Sequence, residues 1–244
     1  MMVKSEEEKM KIYDKFRLII KAKKVPVIDN PIIEYIEDKN INHLHCEIYY
    51  GNNLIAKGVI LDFYKEFENI VDFLGIKTTR ISQFEWKGKL YTRNTYWGQK
   101  IFEIKHFINP PVDEEKRDKY IGEITDIFKY YIKSLIEEGI NLSISYIPSS
   151  SKIPEEIAHN LSVISNIKLS PIIQKNSNRQ SKSLTTIDFQ NFDKYTIDLK
   201  DIDKTYTFLI IDDVVGTGAT FCEVMYKFNE KINYFLAVVK DVKR

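Results

Sequence analysis

The chain has 244 residues, 43% of them hydrophobic, which is enough to bury a full core and a smaller second unit. Its 36 Lys and Arg against 35 Asp and Glu leave a net charge of +1, so the whole chain has no electrostatic footprint for nucleic acid, although a local patch is not excluded. With two cysteines, no apolar run of membrane-spanning length and a charged N-terminus unlike a signal peptide, we expect a cytoplasmic protein with no disulfide framework and no membrane association.

The front of the chain, residues 1–90, is predicted to form an α+β extension. Charged and apolar residues are interleaved over 4–24 in a pattern that predicts an amphipathic helix with a solvated face. Farther on, His43–Tyr50 and Leu54–Phe63 are rich in aromatic and β-branched residues, and Gly51–Asn53 lies between them. This order predicts two strands joined by a turn.

Histidine and cysteine side chains occur close together in the first of these strands. His43, His45 and Cys46 are ligand types for a metal ion. They lie on one strand and have no second ligand cluster, so we interpret them as sheet neighbours.

A long amphipathic helix is predicted over residues 113–138, inside a main domain that we assign to residues 91–244. The apolar residues from Ile121 to Ile136 share one stripe of this helix. Gly139 stands where a C-terminal stop belongs, and Pro110–Pro111 marks the upstream limit.

A strand, a loop and a helix follow. Leu142–Ile147 alternates like a strand, and Ile157, Leu161 and Ile164 have helical spacing within a predicted helix at 153–165. The loop between them contains small hydroxyl residues and one cation, which suit a magnesium-bound pyrophosphate, although a solvated turn can have the same composition. Its candidate binding residues are Ser149, Ser150, Ser151 and Lys152.

A short strand at 167–173 is followed by residues 174–183, which contain no apolar side chain. Lys175, Arg179 and Lys182 are the cations of this stretch. It predicts a loop, which either closes over a site or is an ordinary surface loop.

The most informative segment of the chain runs from Phe208 to Thr220. The apolar run Phe208–Ile211 predicts a buried parallel strand at 207–211, and a second strand is predicted at 232–239. Asp212 and Asp213 come directly after the first of these strands. Adjacent carboxylates accept hydrogen bonds only and suit a vicinal diol.

A loop that suits a phosphate comes next. Gly216 and Gly218 let the backbone approach a ligand closely, and Thr217 and Thr220 add hydroxyl donors. The helix predicted at 218–230 would direct its N-terminus at the same anion. A 5-phosphorylated ribose carries both the diol and the phosphate.

Ile210–Thr220 resembles the PRPP-binding signature of the type I phosphoribosyltransferases, with two acidic residues and then Thr-Gly-Ala-Thr. This resemblance implies an α/β fold with a parallel-sheet phosphoribosyltransferase core at 91–244. It implies that Asp212 and Asp213 hold the ribose hydroxyls. It also implies a loop that holds the 5-phosphate, made of Val215, Gly216, Thr217, Gly218, Ala219 and Thr220. Gly216 is a departure, because the family often has Thr there.

The resemblance implies an enzyme of nucleotide metabolism, a pentosyl-transferring glycosyltransferase. It would bind PRPP with Mg²⁺ and transfer the 5-phosphoribosyl group to a nitrogenous base or related acceptor, with release of pyrophosphate. The metal would arrive on PRPP, and no side chain is assigned to it. Lys175, Arg179 or Lys182 would neutralise the leaving group beside the catalytic Asp212 and Asp213.

The closest subfamily resemblance is to ComF-type phosphoribosyltransferases, which have a Pro in the pyrophosphate loop and an Arg/Gln-containing mobile loop. In this chain Pro148 and Arg179–Gln180 match these features. The four-cysteine zinc ribbon of ComF-type proteins is absent, since Cys46 and Cys222 are the two cysteines of the chain. In the family, sequence outside the core forms a hood that selects the acceptor, so residues 1–90 would be a hood or a partner-binding unit.

A second hypothesis belongs to a different class. The fold would then be a non-catalytic or repurposed module, a PRPP or nucleotide sensor or an effector subunit, for example in a bacterial anti-phage system with a nucleoprotein partner. A homodimer is common in the family, but no interface can be identified from the sequence.

Overall fold

The structure is a computed structural model that describes residues 15–26, 30, 32–71, 74–75, 77–106, 113–176, 194–198, 200, 203, 205–228 and 232–242. Within these residues the chain forms an α/β fold of fourteen strands and four helices. The strands are β1 (Phe16–Ala22), β2 (Ile33–Glu37), β3 (Leu44–Tyr50), β4 (Asn53–Phe63), β5 (Phe67–Val71), β6 (Lys77–Ile81), β7 (Gln83–Trp86), β8 (Lys89–Thr92), β9 (Leu142–Tyr146), β10 (Lys168–Leu169), β11 (Ile173–Lys175), β12 (Tyr195–Ile197), β13 (Thr207–Val215) and β14 (Asn233–Lys240). The helices are α1 (Tyr96–His106), α2 (Glu114–Glu137), α3 (Ile153–Ser165) and α4 (Ala219–Lys227).

Eight strands form one central sheet in the order β10-β9-β13-β14-β4-β3-β1-β2. Five of its seven strand pairs are parallel, and β4-β3 and β3-β1 are antiparallel. The predicted class, α/β with a parallel core sheet, is therefore confirmed.

Helices and strands cover both faces of this sheet. One face packs against α1, α2 and α3 through a core that includes Ile101, Phe128 and Leu161. On the other face, β1 and β3 share a second core with α4, in which Phe221 stacks on Phe235. Strands such as β13 are buried on both sides, which explains their continuous apolar sequence.

The front of the chain belongs to this sheet. Strand β4 pairs in parallel with β14, so strands β1–β4, from the front of the chain, extend the sheet that β9, β13 and β14 begin. The domain boundary between residues 90 and 91 stays a prediction. The predicted helix over 4–24 is wrong from Phe16 onward. Residues 16–22 form β1, because alternate side chains, Phe16 and Leu18 among them, are buried.

Strand β13 is longer than predicted. It continues past Ile211 to Val215, because Val214 and Val215 still pair with Val239 and Lys240 of β14. Asp212 and Asp213 are therefore residues of the strand itself. None of the four described helices combines the length and the hydropathy that a membrane span requires.

Candidate functional site

The candidate site is a cavity of about 240 Å³ at the carboxyl end of β13. Parallel strands β9, β13 and β14 end at this edge of the sheet, where ligands bind in open α/β folds. Predicted site residues that line it together are Ser149, Ser150, Lys175, Asp212, Asp213, Val215, Gly216, Thr217, Gly218, Ala219 and Thr220.

The two carboxylates at its floor are deeply buried. Asp212 is 7% exposed and Asp213 is 3% exposed. The Asp213 backbone N–H donates to Oδ1 of Asp212 at 2.8 Å. As successive strand residues, Asp212 and Asp213 direct their side chains to opposite faces of the sheet. Both nevertheless line the cavity, because the cavity lies across the end of the strand.

Asp213 has two partners inside the protein. Lys105 Nζ lies 2.6 Å from Asp213 Oδ2, and the Ser151 hydroxyl donates to the same oxygen at 3.0 Å. Lys105 comes from α1 and Ser151 from the loop after β9. The ion pair is largely screened from water, so removing one partner would leave a costly buried charge.

Asp212 has a different electrostatic environment. Burial, and then the neighbouring Asp213 carboxylate, hold the pKa of Asp212 well above its usual range, with Lys105 acting in the opposite direction. The two adjacent carboxyls therefore differ, because Asp213 is ion-paired with Lys105 whereas Asp212 favours its protonated form. A protonated Asp212 is a hydrogen-bond donor as well as an acceptor.

The two glycines of the Gly/Thr loop differ in backbone conformation and in the space around them. Gly218, just before α4, has φ of +83°, a left-handed conformation that favours glycine. A Cβ there would lie 2.5 Å from Cδ2 of Leu18 in β1, so the front of the chain packs against the loop. At Gly216 a Cβ would meet no atom within 4 Å, so this position has room for a side chain.

A buried lysine lies behind the loop. Lys240 Nζ donates to the carbonyl oxygens of Gly216 and Asp241, each at 2.6 Å. In a trans peptide the carbonyl and the next N–H point in opposite directions, so the Thr217 N–H points away from Lys240. The loop therefore turns a carbonyl towards the buried cation and an amide the other way.

The loop after β9 is ordered by its own hydroxyls. Ser149 Oγ and Ser151 Oγ are 3.0 Å apart, and the Ser151 N–H donates to Ser149 Oγ at 3.3 Å. Lys152, with φ of +56°, lies outside the cavity and lines a separate surface groove with Glu155 and Glu156. Its role in pyrophosphate binding stays a prediction.

The far wall of the cavity comes from the β11–β12 hairpin. It presents Lys175 together with Lys194 and Tyr195, which were not predicted. Glu223 of α4 is buried, and its Oε1 accepts from the Tyr195 N–H at 2.9 Å, which ties the hairpin to the loop helix. The predicted cations Arg179 and Lys182 lie outside the described residues.

Lys105, Lys194, Tyr195 and Asp241 line the cavity and were missed from the sequence. For Asp241 a signal was present, because parallel strands β13 and β14 end at the same edge and residues after both must meet. Lys105 offered no signal. It is one of many lysines, and only the packing of α1 brings it to Asp213.

Comparison with protein families places the site within a known family. A family model described as PRTase-CE matches residues 109–243, more than half of the chain. The match contains both aspartates, the Gly/Thr loop and the loop after β9. It begins beyond α1 and β1–β4, so Lys105 and Leu18 lie outside it. No curated protein matches the chain.

Proposed function

The chain belongs to the PRTase-CE family, a phosphoribosyltransferase-type family, and from that premise we propose that it binds PRPP with Mg²⁺ and transfers the 5-phosphoribosyl group to a nitrogenous base or related acceptor. The observation that carries the proposal is the shared cavity. Two carboxylates, an amide-rich loop at a helix N-terminus and a serine loop line one space. Their chemistry matches the diol, the 5-phosphate and the pyrophosphate of PRPP. The closer resemblance to ComF-type proteins stays a prediction.

Cations around the cavity support an anionic substrate. Lys105, Lys175 and Lys194 line it from three different elements of the chain. Burial, and then Lys175, lower the pKa of Lys194, while Glu223 and Asp212 act to raise it. A bound polyphosphate would favour the charged form of Lys194 and would be held by the three lysines.

Catalysis would come from position and electrostatics. The C1–O bond to pyrophosphate breaks, and its electron pair leaves with the pyrophosphate. The acceptor nitrogen donates its lone pair to C1 and then loses its proton to solvent or to the released anion. Asp212 and Asp213 orient the ribose, and the loop at residues 215–220 anchors the 5-phosphate. Ser149 and Ser150 receive the pyrophosphate, whose charge Lys175 neutralises.

The side chains fit a metal that arrives with the substrate. Within the part of the chain that the structure describes, no group of three or more His, Cys, Asp or Glu residues could hold a metal ion. Mg²⁺ commonly keeps several waters and binds through substrate phosphates, so PRPP itself would carry the metal into the cavity. The metal would supply charge neutralisation of the leaving group.

A second candidate function, PRPP or nucleotide binding without transfer, is favoured by one observation. The Asp213 carboxylate is already held by Lys105 and Ser151, so ribose hydroxyls must compete with an existing ion pair. A protein that only senses or signals the ligand could retain that pair. An effector role, including one in anti-phage defence with a nucleoprotein partner, belongs to this candidate.

PRPP binding is tested by thermal unfolding with and without PRPP and Mg²⁺. A ligand at a hundred times its dissociation constant stabilises the folded state by about 2.7 kcal/mol. For a chain of this size that is a rise in Tm of roughly 5–10 °C. The absence of a Mg²⁺-dependent shift would contradict phosphoribosyl transfer and would favour the second candidate in its nucleotide-binding form.

Transfer is tested by acceptor-dependent release of pyrophosphate. We expect Asp213→Asn to lower turnover at least about tenfold, because the amide cannot match the carboxylate as an acceptor for ribose hydroxyls. Asp126→Asn, on the exposed side of α2, is the control and should behave like the wild type. Equal turnover in both variants would contradict the role of Asp213, and a PRPP shift with no release on any base would favour binding without transfer.

A further inference from the structure

Strands β7 and β8 form a two-stranded hairpin on the surface. The turn between them is Lys87–Gly88, and both turn residues have positive φ, +51° and +73°. Every residue of the two strands is exposed. An isolated two-stranded hairpin is at best marginally stable in water, so packing against a partner would stabilise these exposed strands.

The two sides of this hairpin differ in composition. Phe84 pairs with Tyr91 and Trp86 with Lys89, so these side chains share one face. The Phe84 and Tyr91 rings stack at 5.7 Å, and Trp86 contacts Tyr91 edge-on at 6.2 Å. We call Phe84, Trp86 and Tyr91 the aromatic face. Glu85 and Leu90 lie on the opposite side.

These rings remain open to solvent. Trp86 is 56% exposed, whereas Trp97, the other tryptophan of the chain, is 9% exposed in the core. Phe84 and Tyr91 are each 40% exposed. Three contacting aromatic side chains with this exposure form an apolar patch that is available for stacking.

Cations surround the aromatic face. Lys87 Nζ lies 4.4 Å from the centre of the Trp86 ring, and Arg93 Cζ lies 5.7 Å from that of Phe84. From residue 83 to residue 93 the chain carries Lys87, Lys89 and Arg93 against one acidic residue, Glu85, on the other side. Lys87 has a left-handed backbone, where Asn or Gly would be less strained, so a lysine at this position carries a conformational cost.

We propose that this hairpin binds single-stranded nucleic acid, with bases stacked on the aromatic face and phosphates held by Lys87, Lys89 and Arg93. Aromatic rings alternating with cations match a ligand whose flat bases alternate with anionic phosphates. The faces of paired bases are hidden within a duplex, so the aromatic face selects unpaired strands. An acidic protein segment would match the charge of the cations but would not supply a flat base for each of the three aromatic rings.

The root of the hairpin adjoins further cations. Lys65 forms a β-bridge with Asn94, and its Nζ donates to Oδ1 of Asn94 at 2.5 Å. Lys65 also lines a cleft of about 440 Å³ with Lys23 and Lys24, and Asp62 and Glu66 line the same cleft. Phosphates of a strand that extends past the rings would meet these lysines. The proposal does not depend on PRPP chemistry, because none of these residues lines the candidate site.

The test is a titration of the full chain with a labelled oligonucleotide of about 12 unpaired residues, in RNA and DNA forms, with the corresponding duplex as comparison. Fluorescence anisotropy reports binding, and quenching of Trp86 reports stacking while buried Trp97 supplies a constant background. We expect Trp86→Ala and Tyr91→Ala each to weaken binding on the order of 10- to 100-fold. Because three cations contact phosphates, a plot of the logarithm of the association constant against the logarithm of the salt concentration should have a slope of about −2.

Two further variants make the test specific to the aromatic face. Leu90→Ala changes the opposite side of the same hairpin and should bind like the wild type. Lys87→Asn suits the turn, so it should keep the melting temperature, weaken binding and reduce the magnitude of the salt slope by about 0.7. The proposal is overturned if neither oligonucleotide binds, if Trp86→Ala and Leu90→Ala bind equally well, if the duplex binds as tightly as the single strands, or if an acidic peptide quenches Trp86 and the oligonucleotides do not.

Discussion

Lys240 is a single residue that links the end of β14 to the phosphate loop. It is 2% exposed, and its ammonium group donates to two backbone carbonyls, one of them in the loop. Burial lowers the pKa of Lys240 to about 8, while Asp241 and Cys46 act to raise it. The protonated side chain therefore carries a cost in stability and holds the loop carbonyl in place.

The pH dependence of stability follows from this shift. Between about pH 8 and 10.5 the unfolded chain binds a proton at Lys240 that the folded chain has lost, so stability rises with pH over that window. Relative to Lys240→Met, we expect the wild type to gain roughly 3 kcal/mol of unfolding free energy across it. Urea unfolding at a series of pH values measures this difference. Lys129→Met, on the exposed side of α2, is the control, and parallel curves for wild type and Lys240→Met would contradict the prediction.

At the scale of elements, the junction between β13 and α4 depends on β1. Gly218 begins the turn with a positive φ, and Leu18 of β1 fills the space beside it. Strand β1 therefore shapes the phosphate loop although it lies about 200 residues earlier in the chain. This contact explains why the loop conformation cannot be assigned from the loop sequence alone.

Two glycine substitutions in this loop should differ sharply. Gly218→Ala combines a left-handed backbone with a Cβ at 2.5 Å from Leu18, so we expect a loss of roughly 2–4 kcal/mol in unfolding free energy. Gly216→Ala meets open space and should change it by less than about 0.5 kcal/mol. Urea unfolding of both variants is the measurement, and equal losses would contradict the assigned loop geometry.

At the scale of the whole molecule, one sheet spans both predicted domains. The Phe235 ring of β14 lies flat against Gly58 of β4, where a Cβ would be 2.5 Å from the ring. The face of β14 that packs on α4 is continued by β4, β3 and β1. Removing β1–β4 would expose this core and open an unpaired edge on β14.

The predicted boundary between residues 90 and 91 can be tested with two fragments. We expect residues 91–244 to lack a cooperative melting transition or to aggregate, because the fragment would lose the cover of its core. Residues 15–244 retain β1–β4 and should melt cooperatively. Differential scanning calorimetry compares the two, and a cooperative transition in the shorter fragment would support two separate domains.

Sequence and structure agree best where the signal is local. The hairpin of β3 and β4, the helices α2 and α3, and the strands β9 and β14 were all predicted to within a few residues. Their periodicity, turns and stops lie within each segment, so no distant contact is needed to recognise them. The helix predicted over 4–24 is wrong from Phe16 onward because charged and apolar residues in a half-buried strand can imitate an amphipathic helix, and residues 4–14 of that prediction lie outside the described residues.

The sequence by itself determined the α/β class and the presence of two aspartates followed by a Gly/Thr loop, because these features occupy contiguous residues whose conformational preferences are local. Tertiary structure alone decided that Lys105 pairs with Asp213, that Lys240 lies behind the loop, and that β4 pairs with β14. It also decided that Phe84, Trp86 and Tyr91 share an exposed face. Such contacts join residues far apart in the chain or across a hairpin, and they depend on strand register and on the burial of a common core, which no single segment encodes.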